Sequence, residues 1–512
     1  NELPPLLRWN NVMMPLLWYG KEHPDMTLLM EAYVSHLKRL NIEGITWIHE
    51  GRLVRSKVFC ICCCADAPAR AAMQHVIQFN GYYGCSWCYH PGTNVDGTVK
   101  YPVTEPFPDR SDKETLSDIQ RSYHTNTIVR GVKGPTPLIN LPGFSLTWAW
   151  CPDYMHCVLL GIARNMTELW LSETGADFYC GRPSSVAVIN KRLCGIRMPG
   201  CINRQPRSLL LRKYWKASEW QNWLLYYSIP CLTDVLNSDN LQHWSLLVAG
   251  VYILLKDSVS NADVETSSRL LTEFVVTMQF LYGESAMTYN VHQLLHIPKS
   301  VILFGPLWAH SCFSFENNSG KLLKLVTSAN GVALQIATRL LLQGSLFALK
   351  ALASEQALEM ICEKKSDHTA CALVSLGKSK RLDGHFYADH AHLQHAEAVE
   401  IKRAKVNGAT VATENYTRHK KIDNSALKLE DGTYLKAQRI IYSKGPSGSE
   451  EFYVLSHVYS ALRTDPCNHI KAARRLGQQR LFKLNGKARP CIYFSVEDKE
   501  YFCDLVNSFE WS

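Results

Sequence analysis

The 512-residue sequence predicts a mixed α/β chain with a long helical stretch in its middle and a small all-β domain at its C-terminal end. Three observations carry this. Lys57-Val-Phe-Cys-Ile-Cys-Cys-Cys-Ala-Asp66 is a continuous apolar run of strand length that ends on a carboxylate. That pattern suits a strand buried on both faces, whose C-terminal end is where an α/β sheet usually keeps its chemistry. Residues 157–285 place apolar side chains at helical spacing, as in Leu246–Leu255. From about residue 404 the texture changes to short β-rich runs, among them Arg439-Ile-Ile-Tyr442 and Glu451-Phe-Tyr-Val-Leu455, punctuated by Gly, Pro and Asp.

In chain order, residues 1–50 read as helical, because Leu28, Leu29, Ala32, Tyr33, Leu37 and Leu40 recur at near-helical spacing. After the apolar run, Ala67-Pro68-Ala69 starts a helix expected to reach Phe79. Residues 80–145 are rich in Gly, Pro, Asn and Asp and read as an irregular insertion. Residues 286–350 hold two more helices, the second over Asn330–Leu342. A polar, His-rich stretch at 364–403 reads as a linker to the β-rich residues 404–512.

Composition narrows the classes. The length exceeds one hydrophobic core, so two or three domains are expected. With 46% hydrophobic and 20% charged residues, the chain is neither a disordered tail nor a coiled coil. No run of 18 uncharged apolar residues occurs, which argues against a membrane span or membrane partner. The start shows neither a signal-peptide pattern nor an initiator Met, so the sequence reads as a fragment. Eighteen cysteines are scattered through it, with Cys62, Cys63 and Cys64 consecutive inside the apolar run as small buried hydrophobes. This spread suits a reducing compartment rather than a disulfide scaffold. Residues 401–512 carry 19 Lys and Arg against 12 Asp and Glu, a balance of +7 out of the net +9. A moderately basic C-terminal part suits a polyanionic partner.

Four motifs could carry chemistry. Cys85-Ser-Trp-Cys88 offers two thiols that can chelate one tetrahedral ion, although one pair is half a site and CxxC also arises by chance in a Cys-rich chain. His292 and His296, four apart on a helix, share a face and can complete a Cys₂His₂ zinc site; otherwise they are half-buried helix histidines. Asp66 ends its strand, and also sits where a helix N-cap belongs. Asp153-Tyr-Met-His156 puts a carboxylate and an imidazole three apart, either as a metal or Asp–His pair or as a cap and a satisfied His. Glu316, inside Phe313-Ser-Phe-Glu316, opens an apolar helix and is either a held carboxylate or a compensator of the helix dipole.

Taken in order, these stretches resemble the CACTA (En/Spm-like) DNA transposases, within the wider CACTA–Mirage–Chapaev group. The resemblance rests on Asn1-Glu-Leu-Pro-Pro5, Asp66-Ala-Pro-Ala69, Cys85-Ser-Trp-Cys88, Asp153-Tyr-Met-His156, Tyr289-Asn-Val-His292 with His296, Gly305-Pro-Leu-Trp308 and Phe313-Ser-Phe-Glu316, and covers roughly residues 1–345. It implies an RNase H-like core of the DDE type, formed by residues 1–156 and 286–350 and interrupted by the helical insertion 157–285. It implies phosphodiester hydrolysis and strand transfer on double-stranded DNA, at transposon terminal repeats and target sites, using two Mg²⁺ or Mn²⁺ ions. A structural Zn²⁺ on Cys85, Cys88, His292 and His296, a nuclear location and a homo-oligomer are further implications.

The family's order assigns the acids. Its CxxC follows the second acid by about twenty residues, and its zinc histidines precede the final Glu by a similar step. Asp66 to Cys85 is 19 residues and His296 to Glu316 is 20, so the resemblance makes Asp66 the second acid and Glu316 the third. The first acid is expected upstream of residue 1. A rival set is Asp66, Asp153 and Glu316, with His156 accessory. Trp308 is either a base-stacking residue or a core Trp. The runner-up is a domesticated, non-cutting transposase derivative that binds DNA or chromatin. An unrelated zinc-stapled α/β hydrolase would instead hold Asp66 and Glu316 far apart.

Overall fold

The computed structural model describes residues 8, 12–202, 204–354, 356–358, 373–382, 386, 390, 393, 397–406, 408–416, 421–444, 450–463 and 465–510. The Asn1–Pro5 motif and residues 359–372, where the stretch read as a linker begins, lie outside them. The chain is mixed α/β with an all-β sheet at its C-terminal end. It divides into two units, residues 1–167 with 250–348, and residues 168–249 with 349–512.

The first unit opens with the helix Met26–Ile42. Asp25 caps it by accepting from the Thr27 and Leu28 amides, which commits that carboxylate to the helix end. The expected helical stretch then gives way to an antiparallel hairpin, β1 (Ile45–His49) with β2 (Arg52–Ser56). The reason is local: Ile45-Thr-Trp-Ile48 is β-branched and aromatic, and Glu50-Gly51 takes the two positive φ angles of a tight hairpin turn.

The apolar run 57–66 is a strand only at β3 (Cys63–Cys64), which pairs in parallel with β6 (Trp150–Cys151). This corrects the expectation of a strand buried on both faces. Phe59 and Ile61 are 55% and 53% exposed, because the partner strand is two residues long and nothing described extends the ladder toward residue 57. Beyond β3, Asp66 caps the helix Ala67–Gln74. That helix stops short of Phe79, since His75 turns left-handed.

The stretch 80–145 is more ordered than its composition suggests. It holds a hairpin of β4 (Thr93–Val95) and β5 (Thr98–Lys100) turning on Asp96-Gly97, and a helix Asp112–Thr125. Ser111 and Glu114 form a reciprocal cap at that helix start. Buried Asp118 takes a bidentate pair from Arg130 at 2.8–3.1 Å. The core here is aromatic, with Trp87, Tyr101, Trp150 and Tyr289 all buried.

After β6 the chain is π-helical over Met155–Ala163. Gly161 is required at this point, because a Cβ there would lie 2.4 Å from the Asn290 side-chain nitrogen. The helix Tyr289–Gln293 therefore packs directly against it, and the Cys157 thiol donates to the Asn290 carbonyl at 3.2 Å. The helices Asn261–Tyr282, Ile297–Phe304, Phe313–Leu323 and Val332–Leu352 complete the unit.

The second unit joins a helical segment to the C-terminal sheet. Trp170, Trp220, Trp223 and Trp244 are fully buried in the helical part, with Trp170 and Trp244 edge to face at 5.0 Å. The sheet has ten antiparallel strands: β7 (Leu373–Arg381), β8 (Glu397–Val406), β9 (Ala409–Ala412), β10 (Ala426–Lys428), β11 (Tyr434–Lys436), β12 (Arg439–Lys444), β13 (Glu450–Arg463), β14 (Ile470–Leu484), β15 (Arg489–Val496) and β16 (Lys499–Asp504). Two of these strands come from the stretch read as a linker. In β8, Ile401, Ala404 and Val406 reach the sheet's core, but their spacing is not a regular alternation, because the pairing with β7 shifts register opposite Ile401–Arg403. The sheet is fastened to the helical part by buried polar links. His469 donates to the Leu225 carbonyl at 2.8 Å, the Val506 amide to the Tyr226 hydroxyl, and the Cys467 thiol to the Ser245 carbonyl.

Candidate metal centre and carboxylate site

Four side chains more than 200 residues apart in pairs come together in the first unit. Cys85, Cys88, His292 and His296 are all buried, and their ligand atoms lie within 4.8 Å of one another. Cys85 Sγ is 3.5 Å from His296 Nε2, Cys88 Sγ is 3.3 Å from His292 Nε2, and the two Nε2 atoms are 3.2 Å apart. A tetrahedral zinc with ordinary bond lengths spaces sulfur from nitrogen by about 3.6 Å and nitrogen from nitrogen by about 3.3 Å. The donor set fits. These four residues could hold a metal ion such as zinc.

Local sequence explains why they converge. The knuckle at Cys85–Cys88 lets the Trp87 amide donate to the Cys85 sulfur at 3.4 Å, and Trp87 anchors the turn through Nε1 to the Trp150 carbonyl at 3.0 Å. Arg110 donates to the Cys88 carbonyl at 3.1 Å. Burial opposes ionising Cys85, yet the bond from Cys88 and the neighbouring His296 and His292 carry its thiol well below the usual range. Cys88 is pushed up by that same bond. Burial pushes the His292 imidazole down, toward the neutral form that ligates. The His90 ring stands edge to face with His292 at 5.1 Å and lies outside the four-residue group. Its Nε2 bonds the Pro102 carbonyl and its Nδ1 accepts the Gly92 amide.

The carboxylates gather around His156. Asp66 leaves the end of β3 and Asp153 leaves the end of β6, so the parallel pair delivers both at one sheet edge. Asp66 is a cap, accepting the Ala69 amide through Oδ1 at 2.8 Å, and no hydrogen bond engages Oδ2 among the described residues. Glu316 lies exposed in the first turn of Phe313–Leu323. Its carboxylate accepts no hydrogen bond among the described residues, while its amide holds the Cys312 carbonyl at 2.9 Å. The hydrogen bond that His156 gives to Asp153 raises its imidazole, opposed by burial and aided by the charges of Asp153, Asp66 and Glu316. One imidazole therefore feels all three acids.

Asp153 accepts hydrogen bonds on both oxygens. It is 3% exposed, with Oδ2 taking the His156 amide at 3.0 Å and ring Nδ1 at 2.7 Å, and Oδ1 taking the Cys312 amide at 2.9 Å. Its two oxygens hold His156 and the start of the helix that carries Glu316, and the ligand atoms of Asp153, His156 and Cys312 lie within 4.8 Å of one another, a group that could hold a metal ion. Trp308 is buried and its Nε1 donates to the Lys256 carbonyl at 3.0 Å. That removes it as a base-stacking residue and makes it a core Trp.

A cavity of about 800 Å³ opens beside this cluster, lined in part by Asp66, Lys100, His156, Asn165 and Asn290. Sequence reasoning missed Lys100, Asn165 and Asn290, which belong to three separate elements with no spacing to link them. It also missed Arg70, buried with its guanidinium on the Tyr289 hydroxyl at 2.7 Å and over the Trp87 ring. Arg70 ties the helix after Asp66 to the helix that bears His292. Among the described residues no helix is long and apolar enough to cross a membrane. No protein-family model matches the chain, and no curated protein matches it.

Proposed function

We propose that the chain is a transposase-type nuclease, with an RNase H-like core of the CACTA kind that cleaves and joins DNA phosphodiesters. What supports this is that the charges of Asp66 and Glu316, 250 positions apart in sequence, both act on His156. Among the described residues, no hydrogen bond engages Asp66 Oδ2 or the Glu316 carboxylate, and hard divalent ions prefer such oxygens. They would hold Mg²⁺ or Mn²⁺, which when bound stabilises charge on the attacking and leaving oxygens.

The chain's own groups supply the rest. His156, oriented through Nδ1 by Asp153, offers Nε2–H to a phosphate oxygen. Lys100 on the cavity wall neutralises a second phosphate, and Asn165 and Asn290 give neutral donors beside it. Asp153 is a positioning residue, because it fixes the imidazole and the Glu316 helix together. The Cys85 centre, with zinc, holds the helix Tyr289–Gln293 in place and takes no part in the reaction. Partners on this reading are double-stranded DNA and a second copy of the chain, in the nucleus.

Nicking of supercoiled DNA by the full-length protein tests it. Asp66→Asn and Glu316→Gln should each lower Mg²⁺- or Mn²⁺-dependent nicking at least about 100-fold with melting unchanged; nicking that survives both contradicts the reading. A second reading, a derivative that binds DNA without cutting, is favoured by the hydrogen bonds that both Asp153 oxygens accept. DNA retention without nicking would select it.

A further inference from the structure

Two residues before each of the strand-end acids lies a thiol. Cys64 precedes Asp66 and Cys151 precedes Asp153, and the two cysteines are direct partners across the parallel pair. Cys62, two residues before Cys64, follows the same alternation, which brings the three sulfurs within 4.8 Å of one another. Cys63, between them, belongs to the opposite side and is not in the group. The three thiols are thus not a run of interchangeable small hydrophobes. They converge from two strands on one point.

A tetrahedral ion with metal–sulfur bonds near 2.3 Å spaces its sulfurs by about 3.8 Å. The three sulfurs need approach by no more than about 1 Å per pair to reach that spacing, which side-chain rotation supplies. Cys62 and Cys64 are half-buried while Cys151 is fully buried, so an ion has a way in and a closed floor. The Cys64 thiol donates to the His310 carbonyl at 3.2 Å, which fixes its side chain toward the cluster's rim. No disulfide joins the sixteen described cysteines.

We propose that Cys62, Cys64 and Cys151 form a three-thiolate site for one soft d¹⁰ ion of the Zn²⁺ or Cd²⁺ class, separate from the Cys85 centre. Thiolate donors select such ions over Mg²⁺, which prefers oxygen. Each ion displaces protons from the thiols it binds. Loading ties β3 to β6 immediately below Asp66 and Asp153 and so fixes the separation of both strand ends. That consequence for activity rests on the nuclease reading; the site itself does not.

Metal-free, fully reduced protein titrated with Cd²⁺ tests the proposal, read by thiolate-to-metal charge-transfer absorption and by bound metal per chain. Two equivalents are expected for the unaltered protein, and one each for Cys64→Ser and Cys151→Ser. Cys85→Ser should lose the other equivalent. One equivalent in the unaltered protein, or two retained in a Cys64→Ser, Cys151→Ser double variant, overturns it. Should the Cys151 variant fail to fold, half-exposed Cys62→Ser serves, together with alkylation in the folded state. Cd²⁺ should shield the Cys62 and Cys64 thiols from alkylation, and unchanged labelling counts against the site. DNA nicking does not enter these readouts, so failure of this proposal and failure of the nuclease reading remain distinguishable.

Discussion

Cys85 illustrates how one residue sets the stability of a unit. Its sulfur sits 3.5 Å from His296 and takes the Trp87 amide, so replacing it removes a ligand and a knuckle anchor together. Structural zinc sites contribute free energies on the order of 10 kcal/mol to folding. Cys85→Ser should therefore lose bound zinc and lower the melting temperature of the first unit sharply. A Cys85→Ser protein with full zinc content and unchanged melting would refute the assignment. His469 makes a different prediction, in the second unit. Burial pushes its imidazole down to about 3, while it donates to the Leu225 carbonyl. The unfolded chain protonates it near 6.5 and the folded chain does not until about pH 3. Protons bind the unfolded state more, so stability is full above about 6.5 and falls as pH drops toward 3. Between pH 6.5 and 5 the loss from this residue should be about 2 kcal/mol. Urea unfolding should show that slope flattened in His469→Gln, and equal slopes in the two proteins would exclude it.

At the scale of elements, the contact between the π-helical Met155–Ala163 and the helix Tyr289–Gln293 couples the two candidate sites. The first carries His156 and the second His292. Gly161→Ala puts a methyl 2.4 Å from the Asn290 side-chain nitrogen, so the Asn290 amide must shift. Overpacking of this kind costs about 1–3 kcal/mol, and zinc affinity should fall with it in a competitive chelator titration. Unaltered affinity and melting would show the contact to be slack. What was legible in the sequence follows the same division. The four Cys and His positions could be read because metal-ligand spacing is short and chemically restricted. The fate of Asp153 could not, since its second oxygen is taken by the Cys312 amide, 159 residues away. The apolar run before Asp66 misled because a continuous apolar run says nothing about how long its partner strand is. Strands β7 and β8 were hidden among histidines and lysines, where two-residue periodicity is faint.

For the whole molecule, the division of the chain is not sequential. The helical segment 168–249 shares a unit with the C-terminal sheet, while both candidate sites lie in the unit built from residues 1–167 and 250–348. The +7 balance of residues 401–512 therefore belongs to a unit that holds neither site. One of its cations, Arg439, is paired with an acid outside that stretch, Glu400. The central claim concerns the other unit, that Asp66 and Glu316 share divalent ions. Anomalous diffraction from crystals of the full-length protein soaked in Mn²⁺ tests it most directly. The account predicts a manganese peak ligated by Asp66 and Glu316, with Asp153 still bonded to His156 and to the Cys312 amide. A peak held by Asp153 with Glu316 out of reach, or two carboxylates too far apart to share an ion, would contradict it.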